Sequence, residues 1–131
     1  MSSILLDTHA FIWLAENDQK LPTSVRETIE ATDNVFVSIV SFWEISIKLK
    51  KERIFLACDF NDIESRFEST GFQLLSISIK DTIQLYNLPF YLKEHKDPFD
   101  RLLIAQAISR SLPLASCDKC FNAYPIQRVW E

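Results

Sequence analysis

Ile4-Leu5-Leu6-Asp7-Thr8-His9-Ala10-Phe11 is the stretch on which the fold turns. Its first three residues form an apolar run suited to a short buried strand. From Thr8 to Glu16 the pattern becomes helical, with Phe11, Leu14 and Ala15 on one side. Asp7 stands at the switch. A carboxylate that ends a buried strand is costly unless it is hydrogen-bonded, paired or holding a metal. The arrangement returns near the other end of the chain, where Leu112-Pro113-Leu114-Ala115-Ser116 leads to Asp118. Glu44 and Asp100 stand near the fronts of two amphipathic helices. Four acids placed in this way point to a divalent-metal site assembled by folding.

Working outward, the chain alternates. Pro22 sits in the first turn of a helix expected to end near Ala31, and Val35-Phe36-Val37 is a β-rich triplet. A helix is expected from about Ser41, with Phe42, Ile45 and Leu49 on one face. It fades into Lys48, Lys50, Lys51 and Arg53, cations suited to a helix C-terminus. A polar-faced helix over 59–69 carries Phe60, Ile63 and Phe67, with Gly71 as its cap. A strand over 72–77 and a helix over 79–88 follow. Pro98–Ser109 has the clearest helical stripe, formed by Leu103, Ile104, Ala107 and Ile108. Strands at 113–116 and 126–129 complete the pattern. Strands alternating with helices imply an α/β domain with a mostly parallel four- or five-stranded sheet, covered on both faces. Ligands in such sheets bind beyond the carboxyl ends of the strands. Asp7 and Asp118 both stand there.

Bulk properties narrow the chemistry. A chain of 131 residues fits one domain over 1–131 and can bury its own core. With 47% hydrophobic residues and 10 Phe, disorder is not expected. A net charge of −4 argues against a surface that coats nucleic acid, although it leaves room for a nucleic-acid substrate met through metal ions. The single glycine, Gly71, rules out the dinucleotide fingerprint and the phosphate-binding loop, both of which need several. Cys117-Asp118-Lys119-Cys120 lacks a second Cys/His pair, so reduced thiols in a cytoplasmic protein are expected. Asp7 breaks the first apolar run, and no run is long enough to span a membrane.

Each acid also has a structural use. Asp7 suits the N-cap of the helix it precedes as well as it suits a ligand. Ser41-Phe42-Trp43-Glu44 matches a capping box. Asp97-Pro98 reads as an N-cap with proline at the first helical position, which makes Asp97 structural. Asp118 suits a turn. Asp100 differs, because it continues the inward stripe of its helix and so needs a partner. His9 reads as a polar residue at a helix start, and His95 as an exposed loop residue. Neither has a partner at zinc-ligand spacing. Magnesium, satisfied by two or three carboxylates and several waters, suits this set better.

Four segments together resemble the PIN domain family, and within it the VapC-type toxins of bacterial toxin–antitoxin pairs. They are Leu5-Leu6-Asp7-Thr8-His9-Ala10-Phe11, Ser41-Phe42-Trp43-Glu44-Ile45, His95-Lys96-Asp97-Pro98-Phe99-Asp100-Arg101-Leu102-Leu103 and Ser116-Cys117-Asp118-Lys119-Cys120-Phe121. The resemblance covers nearly the whole chain. It implies a ribonuclease dependent on magnesium, with manganese as the alternative. Asp7, Glu44 and Asp100 would be the core acids and metal ligands, with Asp118 a fourth, more peripheral acid. Thr8 and Ser116 would orient carboxylates or water, and Asp97 would support them. The resemblance also implies a cognate antitoxin and a homodimer. One departure stands out: many relatives carry Leu-Gly-Lys-Leu after the central helix, whereas Lys50-Lys51-Glu52-Arg53-Ile54 has no glycine.

The expected chemistry is in-line displacement at an RNA phosphodiester, leaving 5′-phosphate and 3′-hydroxyl ends. Lys48, Lys50, Lys51, Arg53 and Arg101 are candidates to meet flanking phosphates, and equally suit a solvated helix end. Two rivals remain at this level. One is phosphoryl transfer with Asp7 as nucleophile, although His9 stands where a second aspartate is usual. The other is a catalytically silent PIN-like module that binds protein or RNA through Trp13, Trp43, Phe90, Tyr91 and Trp130.

Overall fold

At the centre of the sheet lies β1 (Ser3–Leu6), flanked by β2 (Asn34–Ser38) and β4 (Leu114–Ala115). The structure, a computed structural model, describes residues 2–131. β3 (Gln73–Leu75) and β5 (Arg128–Val129) form the edges, giving the order β3-β2-β1-β4-β5 with every pairing parallel. Leu5 is in register with Phe36 and Leu114, and Leu6 with Val37 and Ala115.

Successive strand residues point to opposite faces, and the core divides accordingly. Ile4 and Leu6 pack with Phe11 and Ile12 of α1 (Thr8–Ala15) and Val25 and Ile29 of α2 (Thr23–Glu30). Leu5 packs on the other side with Leu103, Ile104 and Ala107 of α6 (Pro98–Arg110). α3 (Ile39–Lys50) gives Ile45 to the first cluster and Val40 to the second. Each fully buried leucine or isoleucine stabilises the fold by about 1.5–3 kcal/mol relative to exposure.

α5 (Ile79–Asn87) docks on α6 through polar groups as well. Buried Asp81 accepts from Gln106 Nε2 at 3.2 Å and from Arg110 at 3.0 Å, while Ser38 Oγ donates to Gln106 Oε1 at 2.5 Å. Gln106 thereby ties the start of α3 to α5. Among the described residues, no helix is long and apolar enough to cross a membrane.

Several boundaries move for local reasons. α3 begins at Ile39, two residues before the expected Ser41, because the Ser38 hydroxyl accepts from Val40 N. The capping box read into Ser41 and Glu44 therefore does not form: both residues lie inside the helix and are buried. Pro22 precedes α2 as its N-cap residue rather than opening its first turn. The segment over 59–69 divides into a 3-10 turn, Phe60–Asp62, capped by Asp59, and the short helix α4, Ile63–Glu68. Gly71 follows at φ +74°. After α3, Glu52 adopts φ +55°, its N–H donates to Leu49 O, and Arg53 N–H donates to Lys48 O. This is the closing turn glycine usually makes, formed here without one.

Candidate active site

The carboxyl ends of β1 and β4, the second and third turns of α3 and the first turn of α6 open onto one cleft of about 320 Å³. Asp7, Thr8, His9, Glu44, Lys48, Asp97, Asp100, Cys117, Asp118 and Phe121 line it. Asp7 directly follows β1 and is the N-cap of α1, its Oδ1 accepting from Ala10 N at 2.8 Å. The cap and the cleft position coexist. Burial pushes its pKa up, countered by the neighbouring Ser116 and the Ala10 amide, with Glu44 adding to the rise.

Glu44 lies in the second turn of α3 and is 3% exposed. Thr8 Oγ1 donates to Glu44 Oε1 at 2.5 Å and lies 3.0 Å from Ser41 Oγ. Lys48, one turn along α3, is ion-paired with the other carboxylate oxygen.

Asp97 caps α6, its Oδ1 accepting from Phe99 N at 2.9 Å and Asp100 N at 3.1 Å. This positions Asp100 in the first turn, facing the other acids. Its pKa is pushed up to about 8, chiefly by burial, with Asp97, Glu44, Asp7 and Asp118 adding repulsion. Asp118 caps a 3-10 turn over Lys119–Ala123 by accepting from Cys120 N at 2.9 Å, and remains 40% exposed at the cleft edge. Ser116, fully buried beside Asp7, accepts from Asp118 N at 3.1 Å. Cys58, Cys117 and Cys120 are free thiols, and burial beside Asp7 and Asp118 pushes the Cys117 pKa up.

The fold thus brings Asp7, Glu44, Asp97, Asp100, Asp118, Thr8, Ser116 and Lys48 together. Lys50, Lys51 and Arg53 are exposed at the end of α3. Two expectations need correction. Arg101 does not present its guanidinium to a substrate. It is 5% exposed, donates to the carbonyls of Leu88 and Pro89 at 2.7 and 3.1 Å, and lies over the Phe90 ring. Helical geometry explains this, since Arg101 and Asp100 are about 100° apart around α6. His95 is not an exposed loop residue. It is 8% exposed, with Nδ1 2.7 Å from Tyr124 Oη and Nε2 3.3 Å from Asp100 Oδ2 and 3.9 Å from Asp118 Oδ2. Its main partner, Tyr124, lies 29 residues further on, beyond the reach of any local pattern.

A PIN domain family model matches residues 4–127. Ribonuclease VapC22 of Mycobacterium tuberculosis is 26% identical over 133 residues, spanning 99% of this chain and 100% of that protein. Two solved structures share the fold. DNA-bound VapBC of Salmonella typhimurium aligns with a TM-score of 0.73 and 21% identity, covering 98% of each chain. VapBC2 of Rickettsia felis bound to a promoter DNA fragment also gives 0.73, with 16% identity, over 98% of this chain and 99% of that one. The family match extends from the strand that leads to Asp7 to beyond Asp118, and the chain belongs to the PIN domain family.

Proposed function

We propose that this chain is a metal-dependent ribonuclease, the toxin of a toxin–antitoxin pair. The observation that carries the reading is the convergence of Asp7, Glu44, Asp97, Asp100 and Asp118 in one cleft, with Asp100 raised to about 8 by its surroundings. Acids forced together, with Lys48 already paired to Glu44, create a negative field that a divalent ion relieves. The donors are hard carboxylate oxygens, which fit magnesium or manganese. Asp7, Glu44 and Asp100 would hold the ion, with Asp118 at the rim. When bound, such an ion offsets phosphodiester charge and makes a water acidic enough to supply hydroxide near neutral pH.

The chain's own residues do the rest. Thr8 fixes one oxygen of Glu44 by donating to it. Asp97 sets the start of α6 and with it the reach of Asp100. Ser116 fixes the backbone at Asp118. Lys50, Lys51 and Arg53 would meet RNA phosphates beside the cleft. The reading also gives the chain protein partners, a cognate antitoxin and a second copy of itself. Ile79, Ile83 and Tyr86 support this, being 80%, 54% and 88% exposed along α5, since contiguous apolar surface of this kind marks interaction sites.

The test is a metal-supplemented RNA cleavage assay run beside a thermal melt. Asp7→Asn and Asp100→Asn are expected to fold and to lose cleavage, and the wild type to lose activity in EDTA and regain it with magnesium or manganese. Products should carry 5′-phosphates. Full activity in either folded variant would defeat the reading.

A further inference from the structure

His95 has no part in the acid set, yet it is a buried polar side chain anchored beside the cleft. Both its ring nitrogens face polar atoms: Nδ1 lies 2.7 Å from Tyr124 Oη, and Nε2 lies 3.3 Å from Asp100 Oδ2. The ring packs edge-on against Phe121 and Tyr124, and Tyr124 is itself 4% exposed and packed against Tyr91. The segment carrying His95 has no helix or strand, but Arg101 of α6 fastens it by holding the carbonyls of Leu88 and Pro89. The histidine is therefore fixed in place and in rotation.

The hydrogen-bond roles follow from donor chemistry. In the metal-binding state Asp100 is ionised and only accepts, so there Nε2 carries the proton and donates to Asp100. In the neutral ring Nδ1 is then the acceptor, and the Tyr124 hydroxyl donates to it. The chain Tyr124–His95–Asp100 runs in one direction and ends on an acid of the cleft. Asp118 Oδ2, 3.9 Å from the same Nε2, shares that donor's field. Asp100 has acidic neighbours that repel it. A fixed donor to its Oδ2 counters that repulsion and selects one carboxylate orientation.

We propose that His95, locked by Tyr124, is a positioning residue that sets the orientation of Asp100 for metal binding. The inference rests on the ribonuclease reading. Groups that hydrogen-bond metal-binding carboxylates typically affect metal affinity or activity by about 10–100-fold.

The test compares wild type, His95→Leu, His95→Gln and Tyr124→Phe by manganese titration calorimetry, steady-state cleavage and thermal melting. His95→Leu is expected to bind Mn2+ at least about 10-fold more weakly. His95→Gln keeps an N–H donor near the Nε2 position and should recover most of that affinity, which a purely space-filling role would not explain. Tyr124→Phe should shift affinity in the same direction by less. At saturating metal, kcat should fall in His95→Leu with little change in KM for RNA. Pulsed electron paramagnetic resonance of the Mn2+-loaded, 15N-histidine-labelled protein should show no directly bonded nitrogen.

Unchanged Mn2+ affinity in folded His95→Leu would overturn the inference, as would His95→Gln no better than His95→Leu. Direct nitrogen coupling would overturn it too, because the ring would then be a ligand. If His95→Leu does not fold, unchanged affinity in Tyr124→Phe has the same force. Failure of the wild type to bind Mn2+ would instead bring down the ribonuclease reading and this inference with it.

Discussion

Lys48 stands one helical turn beyond Glu44 and is ion-paired with it inside the cleft, the lysine a quarter exposed and the glutamate 3%. Burial alone would lower the Lys48 pKa. The hydrogen bond and charge of Glu44, aided by Asp97 and Asp100, outweigh that and raise it. The ammonium group is therefore a resident counter-ion for acids that otherwise repel one another.

Lys48→Met should accordingly destabilise the metal-free protein. A buried charged group that loses its partner costs about 1–3 kcal/mol or more, which for a domain of this size lowers Tm by several degrees. Magnesium should restore more stability to the variant than it adds to the wild type, because it replaces the missing positive charge. Thermal melts with and without magnesium measure both effects. An equal magnesium response in the two proteins would show that Lys48 does not offset the same field.

Stability should fall with rising pH between about 4 and 8 in the absence of metal. Asp100 has a folded-state pKa of about 8 against an ordinary 3.8, and burial raises Asp7 as well. Across that window the folded protein retains protons that the unfolded chain has released, so the slope of stability against pH is negative. Below the ordinary carboxylate range both states are protonated and the penalty is absent. Above about 8 it is complete. The gain in Tm from magnesium should therefore be larger at pH 8 than at pH 6, and Asp100→Asn should flatten the metal-free slope.

Much of this fold was legible because its signals are local. The Ile4–Leu6 run with Asp7 at its end places β1, α1 and one acid from a few residues. The stripe of Leu103, Ile104, Ala107 and Ile108 likewise shows that α6 is buried and that Asp100 points inward. Reading failed where a partner is remote or a cap is ambiguous. Ser38 and Ser41 are both plausible caps by type, and the cap falls on Ser38, where β2 ends. His95 reads as exposed because Tyr124, the partner that buries it, approaches only after β4 has joined the sheet. Arg101 looked like a phosphate ligand because nothing near it in sequence shows that the carbonyls of Leu88 and Pro89 fold back over α6.

Arg101→Met should therefore act on stability rather than on RNA affinity. The change removes two hydrogen bonds to backbone carbonyls, each to a charged donor worth about 1.5–3 kcal/mol, while keeping part of the apolar stem. The expected result is a clear drop in Tm and faster hydrogen exchange across residues 88–96. A variant that keeps its Tm but loses RNA affinity would restore Arg101 to the substrate surface.

Glu52→Gly should stabilise the protein. Glu52 is exposed at φ +55°, a left-handed conformation that costs a side-chain-bearing residue about 1–2 kcal/mol. Glycine relieves that strain, and its greater freedom in the unfolded chain returns part of the gain. The net effect should be up to about 1 kcal/mol, or roughly 2–4 °C in Tm, with RNA cleavage unchanged. A lower Tm would show that the Glu52 side chain stabilises the turn more than its backbone strains it.

The exposed cations beyond α3 separate substrate binding from chemistry. Lys51 and Arg53 lie outside the acid cleft, so Lys51→Ala with Arg53→Ala should leave kcat and Tm near wild type and raise KM for RNA. Each phosphate contact to a single strand contributes about 0.7 to the slope of log affinity against log salt. Losing two contacts should therefore reduce that slope by about 1.4, and the difference between the proteins should shrink at high ionic strength. Lys48→Met should not imitate this pattern, because its charge is engaged with Glu44. Salt-dependent binding to an RNA held uncleaved in EDTA measures the slope directly. An unchanged slope in the double variant would mean that these side chains form only a solvated helix end.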